Sequence, residues 1–392
     1  MRAPRILHVL HGGGGGVEAS VRLLVEQTAD AFGHLLLFAR PDGWFIQEPI
    51  AGSALARVRW PVIGGLRRVI DGYEIDLCHM HHWIGSRRRL LRACRGLPVP
   101  LLVTAHDFYL ACPRVHLVPP GGVYCGAPED TRVCQQCLAA SPAVKQSVRR
   151  WRNDHAQFLG AAKAVLAPSF FVSDVLSRFF PAVNARVVPH ASRPAGAGIL
   201  SAFGERVISV GVVGALGPEK GGDAVEALAA AARRRSLPLR VVVLGDTHRH
   251  GGPASLYDGY LFVHGSYRCS DLPGLLQQYR IALAAFPARG PESFSLTLSE
   301  VWACGIPALV PPFGALAERV NATGGGWIVG DFEAPDAWLD TIMALLDDLG
   351  AVRTASTRAR TAIGAVDPSA SAIRAVYREV LAGVDDRAAK YD

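Results

Sequence analysis

The chain has 392 residues, of which 50% are hydrophobic and 19% charged, a composition typical of a folded protein rather than a disordered one. Because a single core rarely grows beyond about 250–300 residues, this length predicts two domains. No apolar run approaches the ~20 residues that a membrane-spanning helix needs, so we expect a cytoplasmic protein.

The net charge of +7 is unevenly distributed along the chain. Residues 1–195 carry 23 Lys and Arg against 13 Asp and Glu, whereas the remainder carries 18 against 21. A basic N-terminal half favours peripheral contact with anionic lipid at the inner face of a membrane, or a phosphate-bearing acceptor. A solvated, arginine-rich surface is the alternative. No nucleic-acid-binding motif accompanies the charge, so we expect no nucleic acid partner.

Short apolar runs alternate with helix-like stretches in the first half of the chain. Strands are predicted at 5–10, 35–38, 77–82, 100–104 and 164–167, with a helix at 17–31. This alternation is typical of a parallel sheet covered by helices. We therefore predict a first Rossmann-like domain over residues 1–190.

The same alternation restarts after a linker predicted at 190–206. It comprises strands at 207–213, 239–244, 260–264 and 281–286, and helices at 223–235 and 272–279. This predicts a second α/β/α domain over 199–366. Apolar residues at helical spacing then predict a helix within 367–392. Ligands of such sheets bind beyond the carboxyl ends of the strands.

Two carboxylates, Glu292 and Glu300, bracket a predicted helix N-terminus after the strand at 281–286. The amides of Ser293, Phe294, Ser295 and Leu296 would form a cradle for a phosphate group. A carboxylate on each side of that cradle is suited to sugar hydroxyls. The alternative is a surface helix with two solvated glutamates.

The E-x7-E segment resembles the corresponding motif of the retaining glycosyltransferases of family 4. The strand and glycine turn at 210–221, which contains Gly214 and Lys220, and the glycine run at 12–16 resemble two further motifs of that family. The three motifs occur in the family's order over about 350 residues. The resemblance implies a GT-B fold, in which two Rossmann-like domains face each other across a central cleft and a C-terminal helix crosses back to the first domain.

The resemblance also implies an activity. Such an enzyme, here of the bacterial surface-polysaccharide type, moves a hexose from a nucleotide sugar to a glycan or lipid-linked acceptor and retains the anomeric configuration. No cofactor is implied for catalysis. The alternative is a catalytically weak sugar-nucleotide-binding subunit of a cell-envelope polysaccharide assembly system.

Roles for individual residues follow from the same resemblance. Lys220 would neutralise the leaving diphosphate, Glu292 would hold sugar hydroxyls and Glu300 the ribose, while His106 would lie beside the transferred sugar. Donor contacts are implied for Gly15, Gly16, Gly214 and the cradle residues 293–296, and acceptor-side positions for Glu18 and Asp107.

One position departs from the family's pattern. Ala215 occupies the place where many members have an arginine that shares the work of Lys220. Either Arg249, Arg268 or Arg289 supplies the missing positive charge, or Lys220 and backbone amides alone bind the diphosphate. This departure is the feature that favours the binding-subunit alternative.

Four cysteines, Cys112, Cys125, Cys134 and Cys137, lie in a loop at 108–140 that is rich in glycine and proline. Their spacing, which ends in a C-x2-C, predicts a structural zinc site, with unligated thiols as the alternative. A second cluster, His79, His81 and His82, is interpreted as lining of the cleft rather than as a metal site, because His82 should point to the opposite strand face.

Overall fold

The computed structural model describes residues 2–12, 14–40, 42–49, 56–58, 62–84, 87–94, 96–140, 146–193, 207–364 and 368–388. Their contacts divide the chain into two compact units. The first contains Met1–Val115, Pro128–Ala191 and Pro368–Asp392, and the second contains His116–Ala127 and Ser192–Asp367. Most of the linker predicted at 190–206 lies outside the described residues.

The first unit is built on an eight-stranded sheet in the order β4-β3-β2-β1-β5-β6-β7-β8. Its strands are β1 Arg5–Leu10, β2 Gly33–Arg40, β3 Gly43–Gln47, β4 Ala56–Val58, β5 Leu77–Met80, β6 Leu101–Thr104, β7 Ala164–Ala167 and β8 Ala185–Val187. All neighbours pair in parallel except β2 with β3 and β3 with β4. The parallel strands β5, β6 and β7 are buried along their whole length, as apolar runs of this kind predict.

In the described residues, six helices that precede Ser192 accompany this sheet in the first unit. They are α1 Gly15–Thr28, α2 Val62–Gly72, α3 Arg87–Ala93, α4 Thr131–Ala139, α5 Val148–Gly160 and α6 Phe170–Phe179. No helix in the described part of the chain is both long and apolar enough to cross a membrane.

The second unit contains a seven-stranded sheet in the order β11-β12-β10-β9-β13-β14-β15. Its strands are β9 Ile208–Val213, β10 Leu239–Leu244, β11 Ala254–Leu256, β12 Leu261–Val263, β13 Ile281–Ala285, β14 Ala308–Val310 and β15 Gly326–Ile328. Its helices are α7 Gly222–Arg234, α8 Leu272–Gln278, α9 Leu296–Ala303, α10 Gly314–Thr323, α11 Pro335–Asp347 and α12 Leu349–Ile363. Only β11 pairs antiparallel, with β12.

The last helix, α13 Pro368–Ala388, returns to the first unit, as predicted. Ile373, Val376 and Tyr377 lie in one apolar cluster with Ile6 of β1 and Leu77 of β5. The Tyr377 hydroxyl also lies 2.8 Å from Nδ1 of buried His79. Each fully buried side chain of this size contributes about 1.5–3 kcal/mol, so the helix is an integral part of this core.

Residues His116–Ala127 correct the predicted domain division, which assigned the whole loop at 108–140 to the first domain. This segment belongs to the second unit. Tyr124 N donates to Arg289 O at 2.7 Å, and Arg289 Nε donates to Gly122 O at 3.0 Å. Backbone hydrogen bonds to a distant part of the chain place this segment in the second unit. Hydrophobic periodicity in the sequence cannot predict such long-range hydrogen bonds.

Candidate active site

Lys220 and Glu292 form an ion pair in the second unit, with Nζ 3.3 Å from Oε1. Lys220 ends a one-turn helix, Pro218–Lys220, and is followed by Gly221 with φ 86°. A Cβ atom on Gly221 would lie 2.0 Å from the carbonyl oxygen of Pro287, in the loop that leads to Glu292. Glycine is therefore required at this position for the two segments to approach each other.

Two further contacts fix the loop that carries Glu292. The Glu219 carbonyl accepts hydrogen bonds from the amides of Arg289 at 2.9 Å and Gly290 at 3.3 Å. On the other side, Ala315 N at the start of α10 donates to the Glu292 carbonyl at 2.9 Å. The Glu292 backbone is thus held by α10, and its side chain is directed to Lys220. The negative charge of Glu292 raises the pKa of Lys220, so this lysine is a permanent cation at neutral pH.

The helix that follows Glu292 begins later than the sequence predicted. The predicted cradle ran from Ser293 to Leu296, but α9 begins at Leu296 and Ser295 is its N-cap. The Ser295 hydroxyl accepts a hydrogen bond from Leu298 N at 3.3 Å. The amides of Leu296 and Thr297, also in the first turn of α9, do not take part in this cap. Ser295 itself has φ 68° and ψ 92°, a conformation that typically costs on the order of 1–3 kcal/mol.

Arg319, a residue that sequence reasoning missed, holds this strained turn. Its Nη1 donates to the carbonyls of Phe294 and Ser295, each at 2.9 Å, and its Nη2 donates to Ser299 Oγ at 2.8 Å. The guanidinium also lies over the rings of Phe294 and Trp302, at 4.3 and 5.1 Å. Burial lowers the pKa of Arg319 to about 10, which still leaves it charged at neutral pH.

Glu300 lies on α9 among groups from other elements. Burial raises its pKa, and the thiol of Cys269 donates to its Oε1 at 3.2 Å. Arg193 opposes the shift through its positive charge. Glu300 in turn contributes to the raised pKa of Tyr267. The Glu300 carboxylate is therefore half-buried among these groups.

Gly214 begins the turn after β9, with φ 118°, and a Cβ atom there would lie 3.5 Å from Thr297 of α9. This turn and the first turn of α9 are therefore neighbours. The adjacent Ala215 is exposed and brings no charge. The described second unit thus brings Gly214 to the first turn of α9, and Lys220 to Glu292, which lies three residues before the Ser295 cap.

Two of the three candidate replacements for the arginine missing at Ala215 are engaged elsewhere. Arg249 pairs with Asp223 at 2.7 Å and Glu226 at 3.0 Å, and Arg289 Nε donates to Gly122 O. Arg268 directly precedes Cys269, whose thiol contacts Glu300.

The first unit carries the predicted site residues of the N-terminal glycine run and those that follow β6. The glycines of the N-terminal run differ from one another: Gly14 and Gly15 have φ 74° and 80°, and a Cβ on Gly15 or Gly16 would meet no atom within 4 Å. The start of α1 is therefore an open backbone surface. Glu18 pairs with Arg22, at 2.8 Å from Nη2.

His106 and Asp107 follow β6. His106 is 7% exposed, stacks on His190 with ring centroids 4.5 Å apart, and has a pKa well below its usual value because of burial. Asp107 accepts from Tyr109 N at 2.8 Å, and its Oδ2 lies 3.0 Å from His82 Nε2. His106 is therefore a neutral, buried ring, and the carboxylate next to it anchors the loop.

The histidine cluster differs from the prediction in one respect. Strand β5 ends at Met80, so His81 lies beyond it, where its amide donates to Val9 O at 2.8 Å. His81 lines a cavity within the first unit together with His106. That the histidines line the cleft stays a prediction.

The four cysteines divide between the two units: Cys112, Cys134 and Cys137 belong to the first unit and Cys125 to the second. Cys134 and Cys137 lie one turn apart on α4, and Cys134 Sγ is 3.2 Å from Arg152 Nη2. The described chain gathers three potential metal ligands within 4.8 Å only at His8, His79 and His81. The zinc site stays a prediction, which elemental analysis tests: one zinc per chain supports it, and well under one with four titratable thiols refutes it.

Comparison with known proteins agrees with this geometry. The model of Glycosyltransferase Family 4 matches residues 14–191, and that of Glycosyl transferases group 1 matches residues 207–348. The D-inositol 3-phosphate glycosyltransferase of Xylanimonas cellulosilytica is 30% identical over 327 residues, which cover 78% of this chain and 72% of that protein. The chain belongs to glycosyltransferase family 4.

Other relatives agree with this family assignment. The D-inositol 3-phosphate glycosyltransferase of Salinispora arenicola is 28% identical over 368 residues, covering 88% of this chain and 78% of that protein. Two solved structures share the fold: sucrose-phosphate synthase from Thermosynechococcus elongatus, with a TM-score of 0.70 at 18% identity, and Anabaena HepE in complex with UDP, with 0.65 at 15%. Each covers 97% of this chain and is itself covered completely. The family 4 chain thus has the GT-B fold.

Proposed function

We propose that this family 4 glycosyltransferase transfers a hexose from a nucleotide sugar to a lipid-linked or polysaccharide acceptor with retention of anomeric configuration. The observation that carries the proposal is the ion pair between Lys220 and Glu292, next to the first turn of α9. A cation and two helix amides beside a carboxylate meet the two demands of the reaction, which are binding of a diphosphate and orientation of a sugar.

The diphosphate leaves with increasing negative charge as the bond to the sugar breaks. Lys220 and the amides of Leu296 and Thr297 would stabilise that charge, because fixed donors cost no reorganisation during the reaction. Glu292 would accept hydrogen bonds from sugar hydroxyls, and Glu300 those from the ribose. These roles need no metal ion, and we propose none for catalysis.

The acceptor is proposed from charge and from the relatives. Basic residues are in excess in 1–195. They would attract an acceptor that carries phosphate, or one that lies at the anionic inner face of a membrane. The relatives from Salinispora arenicola and Xylanimonas cellulosilytica are named for D-inositol 3-phosphate, a phosphate-bearing compound of a different kind. A lipid-linked glycan and an inositol phosphate are therefore the two acceptors to test first.

The second candidate is a binding subunit with weak or absent turnover, favoured by Ala215 in place of a second cation. Release of the nucleoside diphosphate separates the two candidates. Purified protein is incubated with UDP-, GDP-, ADP- and dTDP-sugars, and free diphosphate is measured. The enzyme should release diphosphate from at least one donor and do so faster when acceptor is present. Stabilisation by a nucleotide without any release would support the binding subunit instead.

Nucleotide selectivity is best found first by thermal stability. A nucleoside diphosphate present at 100 times its Kd stabilises the folded state by about 2.7 kcal/mol. The preferred diphosphate should therefore raise the melting temperature clearly above the values with the other three. NMR of the anomeric proton in the product then tests retention, which requires the donor and product linkages to have the same configuration.

A further inference from the structure

Residues His116–Ala127, which we call the strap, pack in the second unit although the chain on both sides of them belongs to the first. The strap is closed on itself by the amide of Cys125, which donates to the carbonyl of Leu117 at 3.0 Å. The side chains of Leu117 and Ala127 are buried, each 3% exposed. The strap is therefore a folded part of the second unit.

The first contact of the strap is with Arg289 and Gly290, in the loop that leads to Glu292. Tyr124 N donates to Arg289 O at 2.7 Å. In return, Arg289 Nε donates to Gly122 O at 3.0 Å. Two hydrogen bonds thus hold the start of the Glu292 loop on the strap.

Gly290 shows how closely the strap packs on this loop. A Cβ atom at this position would lie 2.4 Å from Val118 Cγ2 and 2.8 Å from the carbonyl oxygen of His116. Gly290 does not have a positive φ, so its backbone conformation does not favour glycine. Glycine is required here for space, and a larger residue must displace the strap or the loop.

The second contact of the strap is with the segment that holds Glu292 from the other side. The rings of Tyr124 and Phe313 have centroids 5.4 Å apart, and Phe313 is the N-cap residue of α10. A Cβ atom on the next residue, Gly314, would lie 3.0 Å from both N and O of Glu292. Ala315 N then donates to Glu292 O at 2.9 Å. The strap therefore contacts both segments that hold the Glu292 backbone.

We propose that the strap positions Glu292 in the donor site, with Val118 and Tyr124 as the positioning residues. Val118 supports the loop before Glu292, and the Tyr124 ring supports the start of α10. Together they keep the carboxylate directed to Lys220. What Glu292 binds, hydroxyls of the transferred sugar, rests on the function proposed above. The dependence of its position on the strap does not.

This proposal distinguishes two parts of the donor site. The diphosphate is proposed to bind Lys220 and the first turn of α9, whereas the strap contacts the segments on either side of Glu292. A displaced strap should therefore disturb orientation of the sugar more than binding of the diphosphate. A displacement of about 1 Å at a group that orients substrate can lower the rate about 100-fold.

The first test is amide hydrogen exchange, followed by NMR in the full-length protein and in Gly290→Ala. Alanine should force the strap away from the loop. Exchange should then become about tenfold faster at Tyr124, which donates to the loop, and at Ala315, which donates to Glu292, as expected for the loss of one hydrogen bond.

Two controls separate this effect from a general loss of stability. The amide of His264 donates to Val243 O at 2.8 Å in the second unit, and its exchange should not change. Gly330→Ala is the matched substitution, because Gly330 has no positive φ and a Cβ atom there would meet no atom within 4 Å. Unchanged exchange at Ala315 in a Gly290→Ala variant, or the same acceleration in Gly330→Ala, would overturn the proposal.

A second set of variants decides the question if Gly290→Ala does not fold or if exchange at His264 also accelerates. Tyr124→Leu and Phe313→Leu remove the ring contact from either side, and the double variant removes it from both. Because residues that act through one contact are not additive, exchange at Ala315 should accelerate about equally in all three variants. Wild-type exchange at Ala315 in Tyr124→Leu, or effects that multiply in the double variant, would overturn the proposal.

Release of nucleoside diphosphate from the preferred nucleotide sugar then tests the consequence for the reaction. Gly290→Ala should lower kcat about 100-fold, while isothermal titration shows an affinity for the diphosphate near that of wild type. A normal kcat in a variant whose Tyr124 and Ala315 amides exchange faster would overturn the positioning role. Because exchange is measured without turnover, failure of this inference and failure of the proposed function are distinguishable.

Discussion

The ammonium of Lys220 lies 3.3 Å from the carboxylate of Glu292, and the negative charge of Glu292 raises the pKa of Lys220. Two residues 72 positions apart in the sequence thereby hold each other in place before any ligand arrives. A donor diphosphate would share Lys220 with Glu292, and the sugar attached to it would lie near the same carboxylate. In the function proposed above, the pair would therefore link binding of the diphosphate to orientation of the sugar.

Lys220→Met should weaken binding of the preferred nucleoside diphosphate by about 10- to 150-fold, because a hydrogen bond to a charged group contributes about 1.5–3 kcal/mol. Affinity for the nucleoside alone should change little. Isothermal titration with both ligands measures this difference. Lys163→Met, at an exposed lysine of the first unit, is the control. An equal loss of affinity for the nucleoside and for the diphosphate would mean that Lys220 has a structural role and does not contact the diphosphate.

Glu300→Gln should give the opposite pattern, since Glu300 is expected to hold the ribose. Affinity for the nucleoside and for its diphosphate should fall by the same factor. The same titrations measure the effect, and Glu318→Gln on α10 is a control for loss of a carboxylate in this unit. A Glu300→Gln variant that binds nucleoside normally would remove Glu300 from the ribose site.

Arg319→Met should destabilise the second unit by about 2–4 kcal/mol. The change leaves the carbonyls of Phe294 and Ser295 without their buried donor, and each such loss costs about 1–3 kcal/mol. Urea unfolding monitored by tryptophan fluorescence measures the change, because Trp302 lies 5.1 Å from the guanidinium. Arg353→Met, at an exposed position of α12, should stay within about 0.5 kcal/mol of wild type. An Arg319→Met variant as stable as wild type would show that the turn at Ser295 does not need the hydrogen bonds from Arg319.

Acid should destabilise the first unit through His34. Its folded pKa of about 4 lies below the unfolded value of 6.5, so the unfolded state binds more protons between these values. Its contribution to stability is complete above pH 6.5 and is lost as pH falls towards 4, by about 2 kcal/mol at pH 5. Urea unfolding at pH 7, 6 and 5 should show a smaller pH dependence for His34→Gln than for wild type. If the free energy of unfolding had the same pH dependence in both proteins, His34 would not be the source of the acid destabilisation.

Some buried parallel strands could be predicted because they are short apolar runs with no polar residue. Ile281–Ala285 and Ala164–Ala167 are examples, and both are fully buried. Strand Gly43–Gln47 was not predicted, since it alternates between buried and half-buried positions at the antiparallel edge of the sheet. An alternation of apolar and polar residues over only five positions, next to glycine and proline, is too short to predict a strand.

Sequence motifs can report residues of the candidate site that lie close together along the chain. Glu292, Glu300 and the intervening turn belong to one segment, so a motif can report them. Arg319 contacts Ser295 across 24 residues, and His8 contacts His81 across 73, and no local pattern encodes such pairs. The start of α9 was placed too early because the left-handed conformation of Ser295 depends on those distant hydrogen bonds and on no turn residue such as glycine.

The most direct test of the central claim is release of nucleoside diphosphate from the preferred nucleotide sugar by the wild type and by Glu292→Gln. Glutamine keeps the size of the side chain but removes the charge that accepts from sugar hydroxyls, so kcat/KM should fall by at least about 10- to 150-fold. Unfolding by urea and binding of the diphosphate should stay near wild type. Near-normal release by a folded Glu292→Gln variant, or no release by the wild type from any of the four donors, would contradict the account.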